Sequence, residues 1–254
     1  MPSPNQAPIR ELFVSEAMAG ALLRDAARLP RWILDPPQMR RLDLLMNGGF
    51  FPLKGYLTQA DHQAVQEGLQ LSSGMFWPLP VSLEVGAEFA AQVEPGSDIA
   101  LAGPDGALLA VMSVTDKWPA DPRGAGPVDL GGPVKGLAPS PLAGTSPNAR
   151  RAQAAAHVVA LSADDPRREA LRRRLEAAGI AHLPMDPPPL PGCAGRLALM
   201  QAVLARNFGA TELVVAEDLA GDALVARYGD RAGIAIVTEP GGLRAAMPGG
   251  GICG

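Results

Sequence analysis

Met46-Asn47-Gly48-Gly49-Phe50-Phe51-Pro52-Leu53-Lys54-Gly55-Tyr56-Leu57 is the stretch on which the fold turns. Two glycines follow an asparagine, then come an aromatic pair, a proline and a third glycine. Glycine reaches left-handed backbone conformations without steric penalty, and Pro52 fixes its own φ. The run therefore reads as a rigid, turned loop with its aromatics packed inward. It closes a helical pattern over Met39–Leu45, where apolar residues fall at 39, 42 and 45. Taken by itself it is a structural corner.

Upstream of the corner, Ser15–Arg28 has apolar residues at helical spacing (Ala17, Ala21, Leu22, Ala26) and stops near Pro30. Arg31-Trp32-Ile33-Leu34 reads as a strand entering a helix capped by Asp35, with Pro36 and Pro37 in the first turn. Downstream, Thr58–Leu69 is helical by pattern, and Trp77–Val85 is an extended segment whose prolines suit an edge strand. Ile99–Leu101 and Leu108–Val114, separated by Pro104-Asp105-Gly106, predict a hairpin, and Thr115–Trp118 is expected to end this β-rich region. From Ala120 to Pro147, Gly, Pro, Ala and Ser dominate and periodicity vanishes, as in a linker or surface crossing.

The second half changes rhythm. His157–Leu161, Ile180–Leu183, Glu212–Ala216 and Ile234–Val237 are short apolar runs, and helical patterns alternate with them. Asp165 is expected to cap a helix whose first residue is Pro166, whose stripe is Leu171, Leu175 and Ala178, and whose stop is Gly179. A second helix carries Leu197, Met200 and Leu204 and ends at Gly209; Asp222–Tyr228 forms a third. Alternation at these lengths implies a parallel sheet with right-handed crossovers, whose ligands sit beyond the carboxyl ends of the strands. That points to Ser162–Asp165 and Glu217–Gly221.

Composition limits what such a chain can do. Its 254 residues allow one large domain or two ordinary ones, and 47% hydrophobic content supplies ample core. A net charge of −4 with 4% aromatics gives no footing for nucleic acid. Cys193 and Cys253 stand far apart with no C-x-x-C or His pair beside them, which fits a reducing cytosol better than a disulfide or zinc framework. Met1-Pro2-Ser3-Pro4-Asn5 lacks the basic-then-apolar pattern of a signal peptide, and the longest apolar stretch, near Ala107–Val114, is too short to span a bilayer. The expectation is an intracellular, cytoplasmic chain with no membrane partner.

Several residues then acquire meaning together. Asp43–Leu57 resembles the N-terminal signature of ATP sulfurylase, the sulfate adenylyltransferase that joins sulfate to AMP. Gly74–Val81 resembles that family's D-G-x-x-W-P-I-P-I, and Leu130-Gly131-Gly132-Pro133-Val134-Lys135-Gly136-Leu137 its crossover strand. Cys193-Ala194-Gly195-Arg196 with Leu199–Gly209 resembles its M-A-G-P-R-E-A helix, and Ala210–Gly221 its A-T-H-F-I-V-G-R-D-H-A-G. The resemblance runs over most of residues 30–221 and implies an N-terminal PUA-like β-barrel (1–119), a Gly/Pro-rich linker and crossover (120–147), and a reduced Rossmann-like α/β nucleotidyltransferase domain (148–254).

The family's chemistry does not carry over with the scaffold. Its Q-x-R-N-x-x-H-x-x-H, which binds sulfate and the ATP phosphates, corresponds here to Leu161-Ser162-Ala163-Asp164-Asp165-Pro166-Arg167-Arg168-Glu169. Its G-R-D-H corresponds to Ala216-Glu217-Asp218-Leu219, and only Asp218 aligns. Losing one transition-state donor typically slows a reaction by about a hundred- to a thousand-fold, and here several are missing. The expectation is a degenerate sulfurylase acting as a structural, regulatory or partner-binding module; the alternative is an active sulfate adenylyltransferase using substitute residues, and a third reading is a nucleotide-binding module outside sulfur metabolism.

By family position, substrate or nucleotide contacts fall to Gly195, Arg196, Asp218 and Gly221, with no catalytic residue and no metal ligand assigned. No cofactor is expected, apart from ATP and Mg if nucleotide binding is retained. Gly195-Arg196 at a helix start is the best surviving anion site, since free N–H groups and an arginine meet there. Asp164 and Asp165 read either as metal ligands or as a helix cap, and Arg167, Arg168, Arg172, Arg173 and Arg174 as phosphate ligands or as a solvated helix face. His62, His157 and His182 lack a Ser or Cys partner at a meaningful spacing. G-x-x-x-x-G-K-[ST] is absent, so no adenylylsulfate kinase domain is expected within this chain; the resemblance implies an adenylylsulfate kinase or a second copy as partner, and the end Gly249-Gly250-Gly251-Ile252-Cys253-Gly254 is compatible with a kinase on another chain.

Overall fold

A computed structural model describes residues 7–121, 124, 126–141 and 143–244. The expectations for Met1–Asn5, Cys253 and the glycine-rich end 249–254 lie outside the described residues, as do Pro122, Arg123, Ala125 and Leu142 within the linker. The chain's described residues divide into one unit within 8–149 with 188–191, and another of residue 7, 150–187 and 192–244.

In the first unit, α1 (Glu16–Ala26) is capped by Ser15. It leads to β1 (Arg31–Ile33) and α2 (Pro36–Met46). Asp35 caps α2 as its position predicts, accepting from the Gln38 amide at 2.7 Å, and Gln38 answers by accepting from the Asp35 amide at 3.2 Å. Gln38 is itself buried; its Oε1 also accepts from Trp32 Nε1 at 3.1 Å, and its Nε2 donates to the Glu84 carbonyl at 2.7 Å. The corner follows. Gly48 has φ +85°, the Phe51–Pro52 peptide is cis, and Phe50 packs edge-on against Trp77 with ring centroids 5.7 Å apart. Only half of the aromatic expectation holds: Phe50 is fully buried, whereas Phe51 is exposed, because successive residues of the turn face opposite ways.

After the corner come β2 (Gly55–Tyr56), α3 (Gln59–Gly68), β3 (Leu83–Val85) and α4 (Ala87–Ala90). The strand expected over Trp77–Val85 is thus confined to its last three residues, since prolines at 78 and 80 cannot donate to a ladder. The hairpin forms as β4 (Asp98–Ala102) and β5 (Leu108–Ser113), its turn fastened by Asp105 Oδ1 accepting from the Ala107 amide at 3.1 Å. α1 lies over this hairpin through Ala26, packed with Ala100 and Val111.

β-Structure does not end at Trp118. β6 (Asp116–Pro119) is followed by β7 (Val128–Gly136), the longest strand of the unit, lying inside the stretch that composition marks as a linker. Along its first half β7 pairs antiparallel with β3 and β6; along its second half it pairs with β5 and β2. It pairs with four of the other six strands of the sheet, β2, β3, β5 and β6. The change of partners occurs at Gly131-Gly132-Pro133. A Cβ built on Gly131 would fall within 3.0 Å of the Leu57 carbonyl oxygen, and one on Gly132, at φ +148°, within 3.0 Å of the Ser113 carbonyl oxygen. Gly55 faces Gly132 at the same close approach. Composition reads these glycines as part of a linker or surface crossing; packing uses them as a corner where three backbones touch.

α5 (Pro147–Ala152) runs across the division between the units. The second unit continues with β8 (Val158–Leu161), α6 (Arg168–Ala177), β9 (Ala181–Pro184), α7 (Ala194–Asn207) and β10 (Glu212–Val214). It ends with α8 (Glu217–Ala220), α9 (Ala223–Tyr228), β11 (Ala235–Val237) and α10 (Gly241–Arg244). The four strands are parallel in the order β11-β10-β8-β9. α6 buries Leu171 and Leu175 against Val159, Leu161 and Val214, with Leu243 of α10 closing the same cluster. The chain leaves β8 toward β9 on one side and leaves β10 toward β11 on the other. A crevice therefore opens between the carboxyl ends of β8 and β10, where the connections diverge.

The capping expectation at this crevice is overturned. α6 begins at Arg168, two residues later than Asp165-Pro166 implies, and Arg167 stands at the N-cap with no side-chain cap bond. Asp165 does not cap the helix. Its carboxylate takes the Arg167 amide at 2.7 Å and the Arg167 side chain instead.

Candidate functional site at the carboxyl ends of the parallel strands

Three loops leave the carboxyl ends of β8, β10 and β11, and one side chain joins them. Arg167 Nη2 donates to Asp165 Oδ2 at 2.9 Å, to the Val215 carbonyl at 3.0 Å and to the Thr238 carbonyl at 3.1 Å; its Nε donates to Asp165 Oδ1 at 3.1 Å. Asp165 follows β8, Val215 follows β10 and Thr238 follows β11. The guanidinium thus spans the crevice in which an α/β sheet ordinarily receives its ligand. The Asp165 side chain is 1% exposed and that of Arg167 35%. Burial pushes the Asp165 carboxyl up, but hydrogen bonds from the Arg167 side chain and backbone, joined by its charge, outweigh burial and hold it below its ordinary value. Arg167 is raised in turn, first by its bond to Asp165 and further by Glu239 and Glu217.

The neighbouring cations are engaged as well. Arg174 lies 3.5 Å from Glu239, and Arg168 forms a two-bond pair with Asp186 at 2.9 and 3.0 Å. Arg172 and Arg173 sit on the solvated face of α6 with Glu169, as amphipathic spacing anticipates. Asp164 is held by Gln201 Nε2 at 2.9 Å, and Gln201 is buried on α7 with its Oε1 unpartnered among the described residues. Among the described residues no group of three or more His, Cys, Asp and Glu side chains is arranged to hold a metal ion.

The four residues expected to touch nucleotide are partly brought together. Gly195 is buried in the first turn of α7, Arg196 follows it, and α7 packs against α8 and α9. A Cβ on Gly195 would fall within 3.0 Å of all three terminal atoms of the Asp222 carboxylate. Asp222 is next to Gly221 and caps α9, accepting from the Leu224 amide at 2.8 Å. Gly195 and Gly221 are therefore joined through Asp222, while Asp218 is exposed on the first turn of the four-residue α8. The start of α7, which sequence marks as the best anion site, faces a carboxylate.

The histidines are scattered, as their spacing implies. His62 stacks near Trp118 at 5.5 Å; burial pushes its pKa down, opposed by the charge of Asp129. His157 Nε2 meets the buried Glu212 at 3.0 Å, and His182 approaches Glu176 at 3.7 Å. Cys193 is exposed at the N-cap of α7. Sequence reasoning missed the bridging role of Arg167 and the intrusion of Asp222. An Asp-Pro-Arg run directly after a buried strand was the available signal for the first. Nothing local signals the second, because Asp222 lies far along the chain from Gly195.

The PUA-like domain family matches residues 2–125. The sulfate adenylyltransferase of Kluyveromyces lactis is 38% identical over 124 residues, covering 48% of this chain and 25% of that protein. That of Symbiobacterium thermophilum is 41% identical over 103 residues, covering 41% of this chain and 26% of that protein. The chain thus spans about a quarter of the length of the curated relatives it matches. Among solved structures, the hexameric APS kinase from Thiobacillus denitrificans superposes with a TM-score of 0.77 at 25% identity, covering 98% of this chain and 61% of that one. Identity to the curated relatives lies in the N-terminal half, and the two-part α+β architecture is common to the whole of this chain and part of that neighbour. Among the described residues no helix is long and apolar enough to cross a membrane.

Proposed function

We propose that this chain, ATP-sulfurylase-like through its N-terminal half, serves sulfate activation as a catalytically silent module that binds a partner. The observation that carries the reading is the Asp222 carboxylate against Gly195 at the start of α7. A helix start attracts phosphate because its N–H groups are unpaired and its dipole is positive there. A fixed carboxylate at that point cancels the attraction and repels an incoming triphosphate. Glu217 and Asp218, one short helix away, add to the repulsion. Nucleotidyl transfer depends almost wholly on positioning and charge neutralisation, so a site lined this way suits neither ATP nor sulfate. ATP with Mg therefore does not fit the residues present, and no catalytic step is assigned to them.

The α/β unit is read as a reduced nucleotidyltransferase domain kept for its shape. The hexameric APS kinase on which this chain superposes supports an adenylylsulfate kinase as the partner, with a second copy of the chain as the other candidate.

Sulfate-dependent exchange of pyrophosphate into ATP tests the silence directly. Exchange is expected to stay at background even at micromolar protein, and sulfate-dependent turnover at nanomolar protein would refute the reading. Co-elution with adenylylsulfate kinase in size-exclusion chromatography tests the partnership, with independent elution at micromolar concentrations as the contrary result.

A further inference from the structure

We infer that the crevice between β8, β10 and β11 is a guanidinium site filled in cis by Arg167. The receptor consists of acceptors alone. The Asp165 carboxylate, nearly fully buried, and the carbonyls of Val215 and Thr238 all take hydrogen bonds from one guanidinium, at 2.9 to 3.1 Å. Glu239, 3.7 Å from Nη1, supplies a second negative charge at the rim. A planar fork of donors matches this set, whereas an ammonium offers a single point charge. An anion would gain no hydrogen bond from these acceptors.

The arrangement is long-range. Arg167 and its carboxylate partner are close in sequence, but Val215 and Thr238 are 48 and 71 residues away. The side chain therefore ties together the three strand ends. This deepens the reading of a silent mouth, because the place of a ligand is taken by the protein itself. It does not depend on any role in sulfate activation, and the exchange assay and the experiment below fail separately.

The experiment is chemical rescue of Arg167→Ala in the full chain, read as the midpoint of thermal unfolding. Removing the guanidinium leaves a buried carboxylate and two carbonyls without their partner, and the expected fall in Tm is on the order of 10 °C. Ethylguanidinium chloride at millimolar concentration is expected to raise the variant's Tm saturably, as a ligand specific for the folded state does. Ethylammonium and sodium chloride at equal ionic strength should not do so. Neither wild type nor the double variant Asp165→Ala/Arg167→Ala should respond. A response absent from the single variant, or equal in the double variant, overturns the inference. Should Arg167→Ala not fold, wild-type NMR decides. Slowly exchanging, resolved Nε–H and Nη–H signals from Arg167 are expected, and a rapidly exchanging, averaged guanidinium overturns it.

Discussion

Substituting Gly132 by alanine probes the corner on which the first unit is built. The added Cβ would lie within 3.0 Å of the Ser113 carbonyl oxygen, and that oxygen belongs to backbone that cannot rotate away. Gly132 also sits at φ +148°, a conformation essentially reserved for glycine. Overpacking in a closed site costs about 1–3 kcal/mol, and a forced backbone conformation about 1–3 kcal/mol more. The sum, about 2–6 kcal/mol, is a large part of the roughly 5–15 kcal/mol that holds a domain folded. Thermal unfolding should move down by on the order of 10–20 °C. Two controls separate the causes. Gly106→Ala, at φ +79° with nothing within 4 Å, carries backbone strain alone. Gly86→Ala, at φ −66° with nothing within 4 Å, carries neither. Urea unfolding of all three gives the comparison, with the order Gly132→Ala, Gly106→Ala, Gly86→Ala from most to least damaging. If Gly132→Ala falls within about 1 kcal/mol of Gly86→Ala, β7 does not turn against the other strands as described.

Two further outcomes follow from buried carboxylates. Burial raises the Asp43 carboxyl above its usual 3.8, outweighing hydrogen bonds from the Ser140 side chain and amide. A carboxyl raised in the folded state contributes stability that is complete below its unfolded pKa and is lost as pH rises through its folded pKa. Asp43→Asn should therefore gain stability relative to wild type as pH rises above 3.8 toward neutrality, and a difference independent of pH would contradict this. At the other unit, Glu212 accepts from the Gly241 amide at 3.1 Å while Leu243 packs on the sheet, so Glu212→Ala strands an amide donor and should loosen α10 by about 1–3 kcal/mol. Hydrogen exchange at the Gly241 amide reads this, and an unchanged rate would show that the carboxylate does not hold the helix.

Elements were legible in the sequence wherever a local signal decides them. Asp35 followed by two prolines caps α2, Asp105-Gly106 turns the hairpin, and Gly179 and Gly209 stop helices in the left-handed conformation. The parallel sheet was legible from the alternation of short apolar runs with helices. What failed did so because a distant partner decides. Composition marks Gly131-Gly132-Pro133 as linker and only the resemblance to a crossover strand anticipates β7, which forms because residues 55, 57 and 113 pack against it. Asp165 has the composition and position of a helix cap, but the two carbonyls that fix Arg167 come from loops beyond β10 and β11. Once Arg167 is held there, its own carboxylate partner cannot serve the helix.

The same point governs how charge should be counted at a site. Three arginines, 167, 168 and 174, lie at or near the mouth of the sheet, and a tally of residues would call it basic. Each is already paired, with Asp165, Asp186 and Glu239. An exposed pair such as Arg168 with Asp186 gives up its cation easily, since such pairs are worth little in water. The Arg167 pair does not, because releasing the guanidinium would leave a carboxylate that is 1% exposed without a counter-charge. The cation best placed to meet an anionic substrate is therefore the one whose release is most costly. Positive charge that could neutralise a triphosphate is present in the chain and withheld by the fold, and that distinction, invisible to composition, is what separates this mouth from a binding site for anions.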